Sequence, residues 1–438
     1  MDFGRSDDAR VQAQLDRLAR LSVPQGRLGL ETITALMERL GNPHRKLPPV
    51  FHVAGTNGKG SVCAFLRAIL EADGKRVHVT TSPHLVRYNE RIRIAGKLID
   101  DGPLAELLEE VLDAGEDLAP SFFEVTIAAA FLAFSRTPAD ACVVEVGLGG
   151  RFDATNVLEP KALAACGIAA LGLDHERFLL APEEGVPTEP MARIAFEKAG
   201  IAKKGVPLVT MGPLYPLNAR LSIISKVHTC GAILLEQGEQ WSCAPTANKF
   251  YYHDRHFRSG PAYLPQPVMP GKHQVDNAGL AIAMLRLQSR VNVEHKSIID
   301  GLLNAKWPAR MQRLSDGLLT SLAPDHTIWL DGGHNPSAGA AISELFEKQQ
   351  LHLILGMLDN KNPRALLDPL GDRVRTLQGV PVPDHESHPA SAFGENAVAR
   401  GDLEEALLNV SSDGSPILIA GSLYLAGEAL RLNDEIPD

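Results

Sequence analysis

The sequence predicts an α/β protein of two domains, each built on a largely parallel sheet. Short apolar runs alternate with amphipathic stretches of helical spacing along nearly the whole chain. Polar or glycine-rich segments follow several of these runs, which is typical of ligand sites at the carboxyl ends of parallel strands. At 438 residues the chain is also too long for one ordinary core.

Composition narrows the classes of function. The apolar content of 45% and charged content of 22% are those of a globular protein, and the net charge of −10 argues against nucleic-acid binding. Five cysteines without a CxxC pair predict reduced core residues and neither zinc ligands nor disulfides. The acidic N-terminus predicts no signal peptide, and the longest apolar run, Ala162 to Leu173, is too short to span a bilayer. We therefore expect a cytoplasmic protein without a membrane partner.

Residues 50–61 read VFHVAGTNGKGS, and a helical pattern follows them. A strand, a glycine-rich loop and a helix form the arrangement that cradles phosphate, so Lys59 and the helix N-terminus would bind the anion. The loop is a variant, because Val53 and Gly60 replace the glycine and the hydroxyl residue of a strict Walker A motif. The alternative is an ordinary glycine-rich turn, which leaves the lysine unexplained. The candidate phosphate-binding residues are Thr56, Asn57, Gly58, Lys59, Gly60 and Ser61.

The elements before and after this loop alternate. Apolar spacing predicts helices over 11–18 and 33–40, and 76–81 reads as a strand. A basic segment follows, and it is either a site for an anionic substrate or a solvated strand face. Its basic residues are Arg87, Arg91 and Arg93. Further on, Ser121 and Glu124 form a capping box at the start of a helix, which explains Glu124 without excluding a ligand role.

Residues 141–147 form a continuous apolar run that Glu145 interrupts, and the glycine-rich loop 147–156 follows. A carboxylate at the end of a buried strand is paired or binds a cation, and we favour a metal. His175 follows another predicted strand, 162–170, and is a second candidate metal ligand rather than a satisfied structural histidine. Lys198 ends the next predicted helix, where pairing with the helix dipole is the simpler interpretation.

The pattern weakens between 213 and 270, where we expect short strands and loops, and a helix follows Gly271. The predicted junction at 291–295 gives domains 1–294 and 295–438. In the second domain a strand leads into DGGHNP, in which Asn335 and Pro336 predict the start of a helix. Taken together, the residues predict an ATP-dependent enzyme with Mg²⁺, since a hydroxyl, a carboxylate and an imidazole would complement ATP oxygens and water.

The chain carries, in this order, HVAGTNGKGS, TSPHLVRYNERI, EVGLGGRFDATN, LDH, EKAGI, WPARMQ and DGGHNPSA. This ordered set resembles the folylpolyglutamate synthase/dihydrofolate synthase family of the Mur ligase superfamily, over nearly the whole chain. The resemblance implies a Mur ligase-like fold, with a P-loop-type N-terminal domain that has a mainly parallel sheet and a smaller Rossmann-like C-terminal domain. The first domain would bind ATP and the pterin, and the second would form the glutamate side of the cleft.

The resemblance implies ATP-dependent addition of L-glutamate to dihydropteroate and to folates through an acyl phosphate. Phosphorylation gives the carboxylate a leaving group, and much of the acceleration would come from holding the substrates in place. The implied cofactors are ATP and Mg²⁺, with a monovalent cation such as K⁺ as a further candidate. The resemblance also implies a monomer whose partners are small molecules.

Site roles follow by resemblance, residue by residue. Metal ligands are Ser82, Glu145 and His175; further ATP contacts are Asn277, Arg310 and Asp331. The pterin segments are Ser121, Phe122, Phe123 and Glu124, with Phe152, Asp153 and Ala154. Lys59, Lys198 and His334 are the implied catalytic residues, and Lys198 matches a lysine that the family carboxylates.

The chain departs from the family pattern between LDH and EKAGI, where the segment is longer and richer in Pro and Glu. Three other functions compete. A folylpolyglutamate synthase without the dihydropteroate activity, or a Mur-type ligase for another carboxylate, would share the reaction. A regulatory NTPase would be expected to show an NKxD motif, but the match at Asn360 lacks the Asp and leaves DGGHNP without a role.

Overall fold

The computed structural model describes residues 5–21, 29–255, 262–347 and 349–437, and it divides into two compact units. The first unit holds the described residues up to Pro83, with Arg87–Val268 and Gln274–Lys306. The second holds His84–Val86, Met269–His273 and the chain from Trp307. The predicted α/β class is confirmed for both units, as the strand pairing below shows.

The division at Lys306 differs from the predicted boundary at 294/295. The intervening helix His295–Asn304 packs against the helix that follows the glycine-rich loop. Contact between them is close, since a Cβ added at Gly301 would lie 2.6 Å from the backbone of Ile69. This helix therefore belongs to the first unit.

In the described part of the first unit, eight strands form one sheet in the order β4-β3-β2-β5-β1-β6-β7-β8. Strands β2, β5, β1, β6, β7 and β8 run parallel, and β3 and β4 add an antiparallel edge. The strands are β1 Val50–Ala54, β2 Val77–Thr80, β3 Ile92–Ile94, β4 Lys97–Leu98, β5 Ala141–Glu145, β6 Leu163–Ile168, β7 Pro207–Thr210 and β8 Ile233–Glu236. A separate antiparallel sheet contains β9 Trp241–Pro245, β10 Lys249–Asp254 and β11 Ala262–Pro265.

Helices cover this sheet because their apolar residues repeat at helical spacing. In α5, for example, Phe131 and Phe134 are almost completely buried. The helices are α1 Ala9–Ala19, α2 Glu31–Arg39, α3 Lys59–Ala72, α4 Asp101–Gly115, α5 Phe122–Arg136, α6 Glu176–Leu179, α7 Pro190–Ala199, α8 Leu217–Cys230, α9 His273–Arg286 and α10 His295–Asn304. No helix among the described residues is long and apolar enough to cross a membrane.

Two expectations for this unit were wrong. The stretch 213–270 contains the helix α8 as well as short strands. Its apolar residues gave no clear stripe because Leu217 and Leu221 are exposed while Ser222 is buried. The anion-site alternative for the basic segment stays a prediction, and the solvated-face alternative was wrong for Arg91, which is completely buried. Its guanidinium lies 5.3 Å from the centroid of the Phe122 ring.

The described residues of the second unit form a six-stranded sheet in the order β12-β13-β17-β14-β15-β16, parallel except for β12. Buried apolar residues from the strands and the helices of this unit form two core clusters. The strands are β12 Gln312–Arg313, β13 Ile328–Asp331, β14 Leu351–Leu355, β15 Val374–Gly379, β16 Ala397–Ala399 and β17 Ile417–Ala420. The helices are α11 Pro336–Leu345, α12 Leu367–Leu370, α13 Leu403–Leu408 and α14 Leu423–Leu432.

The five cysteines, all within the described ranges, form no disulfide. Cys63, Cys142 and Cys166 are buried, as predicted for core residues, whereas Cys230 and Cys243 are only partly buried. Burial raises the pKa of the Cys166 thiol to about 12, so it stays protonated at neutral pH.

Candidate active site

The glycine-rich loop connects the buried strand β1 to the helix α3, as the sequence predicted. Gly55 has φ 154° and Gly58 has φ 83°, and a Cβ on Gly58 would collide with the side-chain oxygen of Asn277. Both positions therefore require glycine. Gly58 is the N-cap of α3 and has no side chain with which to cap it. Because a helix begins with amides that lack intrahelical partners, this end of α3 can bind an anion.

Two lysines converge on one carbonyl of this loop. Lys59 Nζ donates to Gly55 O at 3.1 Å, and Lys198 Nζ donates to the same oxygen at 3.0 Å. Lys198 is 4% exposed, and its burial together with the charge of Lys59 lowers its pKa to about 7. Lys198 therefore does more than pair with the end of its helix, which was the simpler interpretation of the sequence.

The start of α9 packs against the same loop. Asn277 is buried beside Gly58, and its Nδ2 donates to Gln274 Oε1 at 3.1 Å. Gln274 Nε2 in turn donates to Ser61 Oγ at 3.3 Å. Asn277 and Ser61 are thus linked through Gln274, and their predicted roles in binding ATP stay predictions. The structure adds Gln274, which sequence reasoning missed because a lone glutamine at a helix start carries no motif.

Ser82 and Glu145, two of the three candidate metal ligands, lie together. The amide of Ser82 donates to Glu145 Oε2 at 3.2 Å, and Glu145 is 4% exposed at the end of β5. His175 is half-exposed, follows β6, and has a left-handed backbone with φ 53°. The loop between β6 and His175 is tied to the phosphate loop, because Thr56 Oγ1 donates to Gly172 O at 2.9 Å. A hydroxyl, a buried carboxylate and an imidazole fit Mg²⁺ or Mn²⁺.

The candidate pterin residues fall into two groups. Ser121 and Glu124 form the predicted capping box: Ser121 Oγ accepts from the Glu124 amide at 3.3 Å, and Glu124 Oε2 accepts from the Ser121 amide at 2.8 Å. Phe122 and Phe123 remain half-buried. The ring of Phe123 faces Gly147, where an added Cβ would lie 2.5 Å from it. These rings can offer an apolar surface beside the glycine-rich loop after β5.

The second group organises its own loop. Asp153 is buried, and its carboxylate accepts from the amides of Leu148 at 2.8 Å and Thr155 at 3.0 Å. Burial raises its pKa. Ala154 is also buried. The Arg151 guanidinium lies over the Phe152 ring, 4.1 Å from the centroid of the ring. Asp153 therefore holds the loop through its two oxygens.

An ion cluster links this loop to the helix of Lys198. Arg151 bonds Glu197 at 2.8 Å and Glu183 at 3.0 Å, and Arg193 bonds Glu183 at 3.0 Å. These side chains are at most 22% exposed. Glu183 lies in the segment between the LDH and EKAGI motifs. Sequence reasoning assigned it no role, because its partners are distant along the chain.

In the second unit, Asp331 ends β13 and is buried. Its carboxylate accepts from the amides of Met311 at 2.8 Å and Gly333 at 2.7 Å, which places it beside Arg310 and the start of the DGGHNP loop. His334 Nδ1 lies 3.3 Å from Gly332 O. Asn335 caps α11, as predicted, by accepting from the Ala338 amide.

No protein-family model matches the chain, but curated proteins and solved structures do. Dihydrofolate synthetase of Saccharomyces cerevisiae is 30% identical over 93% of this chain and 98% of its own. The solved structure of E. coli FolC in complex with DHPP and ADP has a TM-score of 0.83 and 28% identity, and the match covers 97% of each chain. The bifunctional folylpolyglutamate synthase/dihydrofolate synthase from Yersinia pestis, complexed with AMPPNP and Mn, has a TM-score of 0.81 and 27% identity over 96% of this chain and 97% of that one.

These structures confirm the Mur ligase-like fold that the motifs implied. The related complexes contain a nucleotide, ADP or AMPPNP, and one of them also contains a manganese ion. Because a curated relative is 30% identical across almost its full length, the chain belongs to the folylpolyglutamate synthase/dihydrofolate synthase family.

Proposed function

We propose that the chain is an ATP-dependent ligase that adds L-glutamate to dihydropteroate and to folylpolyglutamates. The observation that carries the proposal is the convergence of Lys59 and Lys198 on Gly55 O, within a loop that the α9 residues Gln274 and Asn277 also contact. A loop of this kind binds phosphate, and the family's motifs surround it.

The chemistry needs two steps. A substrate carboxylate oxygen attacks the γ-phosphorus of ATP, which gives an acyl phosphate and ADP. The amine of glutamate then attacks the acyl carbon, the amide bond forms, phosphate leaves with the C–O electron pair, and the amine loses a proton. Lys59 offsets charge on the transferring phosphoryl group, and the amides at the start of α3 hold it in place. Mg²⁺ bound by Ser82, Glu145 and His175 would supply further charge neutralisation.

Lys198 is proposed as a carboxylated lysine. An amine with a pKa of about 7 is about half neutral at pH 7, and the neutral amine is the form that adds to CO₂. The product would be an anion in place of a cation beside the loop. Mass spectrometry of the intact protein with and without bicarbonate, compared with Lys198→Met, tests this assignment.

The remaining roles are proposals of the same kind. Phe122, Phe123 and Phe152 would contact the pterin, while Asn277 would contact the nucleotide beside Gly58. In the second unit, Arg310 and Asp331 would contact ATP and His334 would act in catalysis, and the hydrogen bonds that fix Asp331 beside Met311 support the placement. We propose that a monomer suffices, since one chain supplies every one of these residues. The unbonded cysteines support a reducing compartment such as the cytoplasm.

The test is ADP release by the purified protein with Mg²⁺, ATP and L-glutamate. Dihydropteroate, tetrahydrofolate and a peptidoglycan precursor are offered separately. Release with both pterin substrates supports the bifunctional proposal, and release with tetrahydrofolate alone reduces it to the polyglutamate activity. Release with the precursor alone means a Mur-type ligase, and release that needs no acceptor means an NTPase.

A further inference from the structure

Two histidines and one aspartate, which are side chains of the kinds that bind metal ions, lie together in the second unit. None of the three is a residue that we assign to the ligase reaction. Ligand atoms of His326, His352 and Asp413 all lie within 4.8 Å of one another. His326 precedes β13, His352 lies in β14, and Asp413 precedes β17. These strands are parallel neighbours, with β17 between the other two, so the cluster lies at their amino ends. Asp331 lies at the opposite, carboxyl end of β13.

The hydrogen bond of His326 leaves one ring nitrogen available for a metal. His326 Nδ1 lies 2.6 Å from the carbonyl oxygen of Ser415. A carbonyl only accepts, so Nδ1 carries the proton and Nε2 carries the lone pair. An Nδ1–H bonded to a backbone carbonyl is the arrangement that orients histidine ligands in metal sites.

Both ring nitrogens of the buried His352 have a side-chain partner. The residue is 0% exposed, its Nδ1 lies 2.8 Å from Thr376 Oγ1, and its Nε2 lies 3.1 Å from Asp413 Oδ1. Without an ion, Nε2 donates to the Asp413 carboxylate and Nδ1 accepts from the Thr376 hydroxyl. A cation shared with Asp413 would displace the proton from Nε2, and the other tautomer, with the proton on Nδ1, has Thr376 Oγ1 as its acceptor. The backbone of β14 holds this ligand in place, since Leu351–Leu355 is buried throughout.

Asp413 is held in orientation as an anion. Its Oδ1 accepts from the Ser415 amide at 2.9 Å, and its Oδ2 lies 2.8 Å from Arg375 Nε. These two bonds fix the carboxylate with Oδ1 beside His352 Nε2 and Oδ2 beside the Arg375 guanidinium.

We propose that His326, His352 and Asp413 bind a divalent transition-metal ion of the Zn²⁺ type, with water as the fourth ligand. Two imidazoles and one carboxylate suit Zn²⁺, whereas Mg²⁺ and Ca²⁺ prefer oxygen ligands. Tetrahedral coordination with bonds of ~2.1 Å places neighbouring ligand atoms about 3.4 Å apart. His352 Nε2 and Asp413 Oδ1 already lie 3.1 Å apart. The widest separation in the cluster, at most 4.8 Å, would shorten by up to about 1.4 Å through movement of the loops that carry His326 and Asp413. The ion would join the amino ends of three strands.

The test is a calorimetric titration of the chelator-treated protein with Zn²⁺ in a millimolar excess of Mg²⁺. His326→Gln removes a ligand but keeps an amide that can donate to Ser415 O, and Asp413→Asn removes the charge. Each variant is expected to weaken one binding event roughly 100-fold or more. The matched control is His228→Gln on the exposed side of α8, which removes an imidazole far from the cluster in sequence.

Zinc held by the proposed Mg²⁺ ligands would appear as a separate event that His326→Gln leaves unchanged. A titration that is identical in wild type and in both cluster variants overturns the proposal, as does the absence of any Zn²⁺ binding. Co²⁺ provides a readout that needs no variant. Visible absorption bands of tetrahedral intensity in the wild type support the site, and only the weak bands of octahedral Co²⁺ contradict it.

Discussion

Replacing Lys198 by methionine should stabilise the first unit while removing a residue proposed for catalysis. Lys198 is 4% exposed, and its burial lowers the pKa to about 7 from the value of 10.5 that an exposed lysine has. Methionine has a similar length and carries no charge. The carbonyl of Gly55 keeps a partner in the variant, because Lys59 Nζ also donates to it at 3.1 Å.

The size of the effect follows from the two pKa values. Each pKa unit corresponds to about 1.4 kcal/mol, so keeping Lys198 charged in the folded state at pH 7 or below costs at most about 5 kcal/mol. Two effects make the gain smaller than this limit. The variant loses one hydrogen bond of about 1 kcal/mol, and water that enters near the ammonium lowers the cost of keeping Lys198 charged in the wild type. We therefore expect a gain of about 2–3 kcal/mol, or ~4–6 °C in the melting temperature.

The sign of the pH dependence provides a second check. The folded-state pKa lies below the unfolded-state pKa, so between pH 7 and 10.5 the unfolded chain binds more protons. Wild-type stability should therefore rise with pH across this window through this group, and the rise should be absent from the variant. The advantage of methionine should be largest near pH 7 and vanish near pH 10.5.

Differential scanning calorimetry of both proteins near the two ends of this window provides the measurement. The matched control is Lys204→Met, because Lys204 is exposed on the loop after the same helix and should show no such gain. A Lys198→Met protein that melts below the wild type near pH 7 would refute the reasoning. It would mean that Lys198 carries a charge that its surroundings stabilise, as an ammonium or, if the mass spectrum shows the added CO₂, as a carbamate.

Other substitutions test the remaining assignments. Lys59→Ala and Glu145→Ala should each lower the rate of ligation at least ~100-fold with unchanged circular dichroism. The control Lys97→Ala, on the exposed edge strand, should leave the rate unchanged. Turnover retained by Lys59→Ala or by Glu145→Ala would remove that residue from the mechanism. Glu183→Gln should cost about 1–2 kcal/mol in urea unfolding near pH 6. Bonds from arginine lower the pKa of Glu183 to about 2 from 4.5, so this loss should fade as pH falls from 4.5 towards 2, and a loss independent of pH would contradict the ion cluster. Gly427→Ala should destabilise the second unit by about 2 kcal/mol or more, since the added methyl would overlap the carbonyl of Leu85; an unchanged melting temperature would show that the contact can relax.

Local signals predicted much of the fold. The strand–loop–helix at Gly58, the capping box at Ser121 and the N-cap at Asn335 are all present, because each depends on residues within a few positions of one another. The helix α8 was missed because its inward positions include Ala219 and Ser222, and tertiary packing decides which side of it is buried.

The sequence was less informative where contacts join distant segments. Gln274 and Ser61 are separated by more than 200 positions, and neither suggests the other. The same holds for His326 and Asp413, which meet because their strands are neighbours in the sheet. The environment of Lys198 was also hidden, since a lysine in the last turn of a helix is ordinarily exposed.

The long segment before Lys198 shows how such hidden contacts can support a site. Glu183 comes from that segment, and without it Arg151 and Arg193 would share a single carboxylate, Glu197. Two guanidiniums and one carboxylate, mostly removed from water, would leave an uncompensated positive charge beside the helix that carries Lys198. With Glu183 present the four charges cancel. Glu183 therefore balances the charge of the two arginines around α7, the helix whose Lys198 Nζ donates to the carbonyl of the phosphate loop.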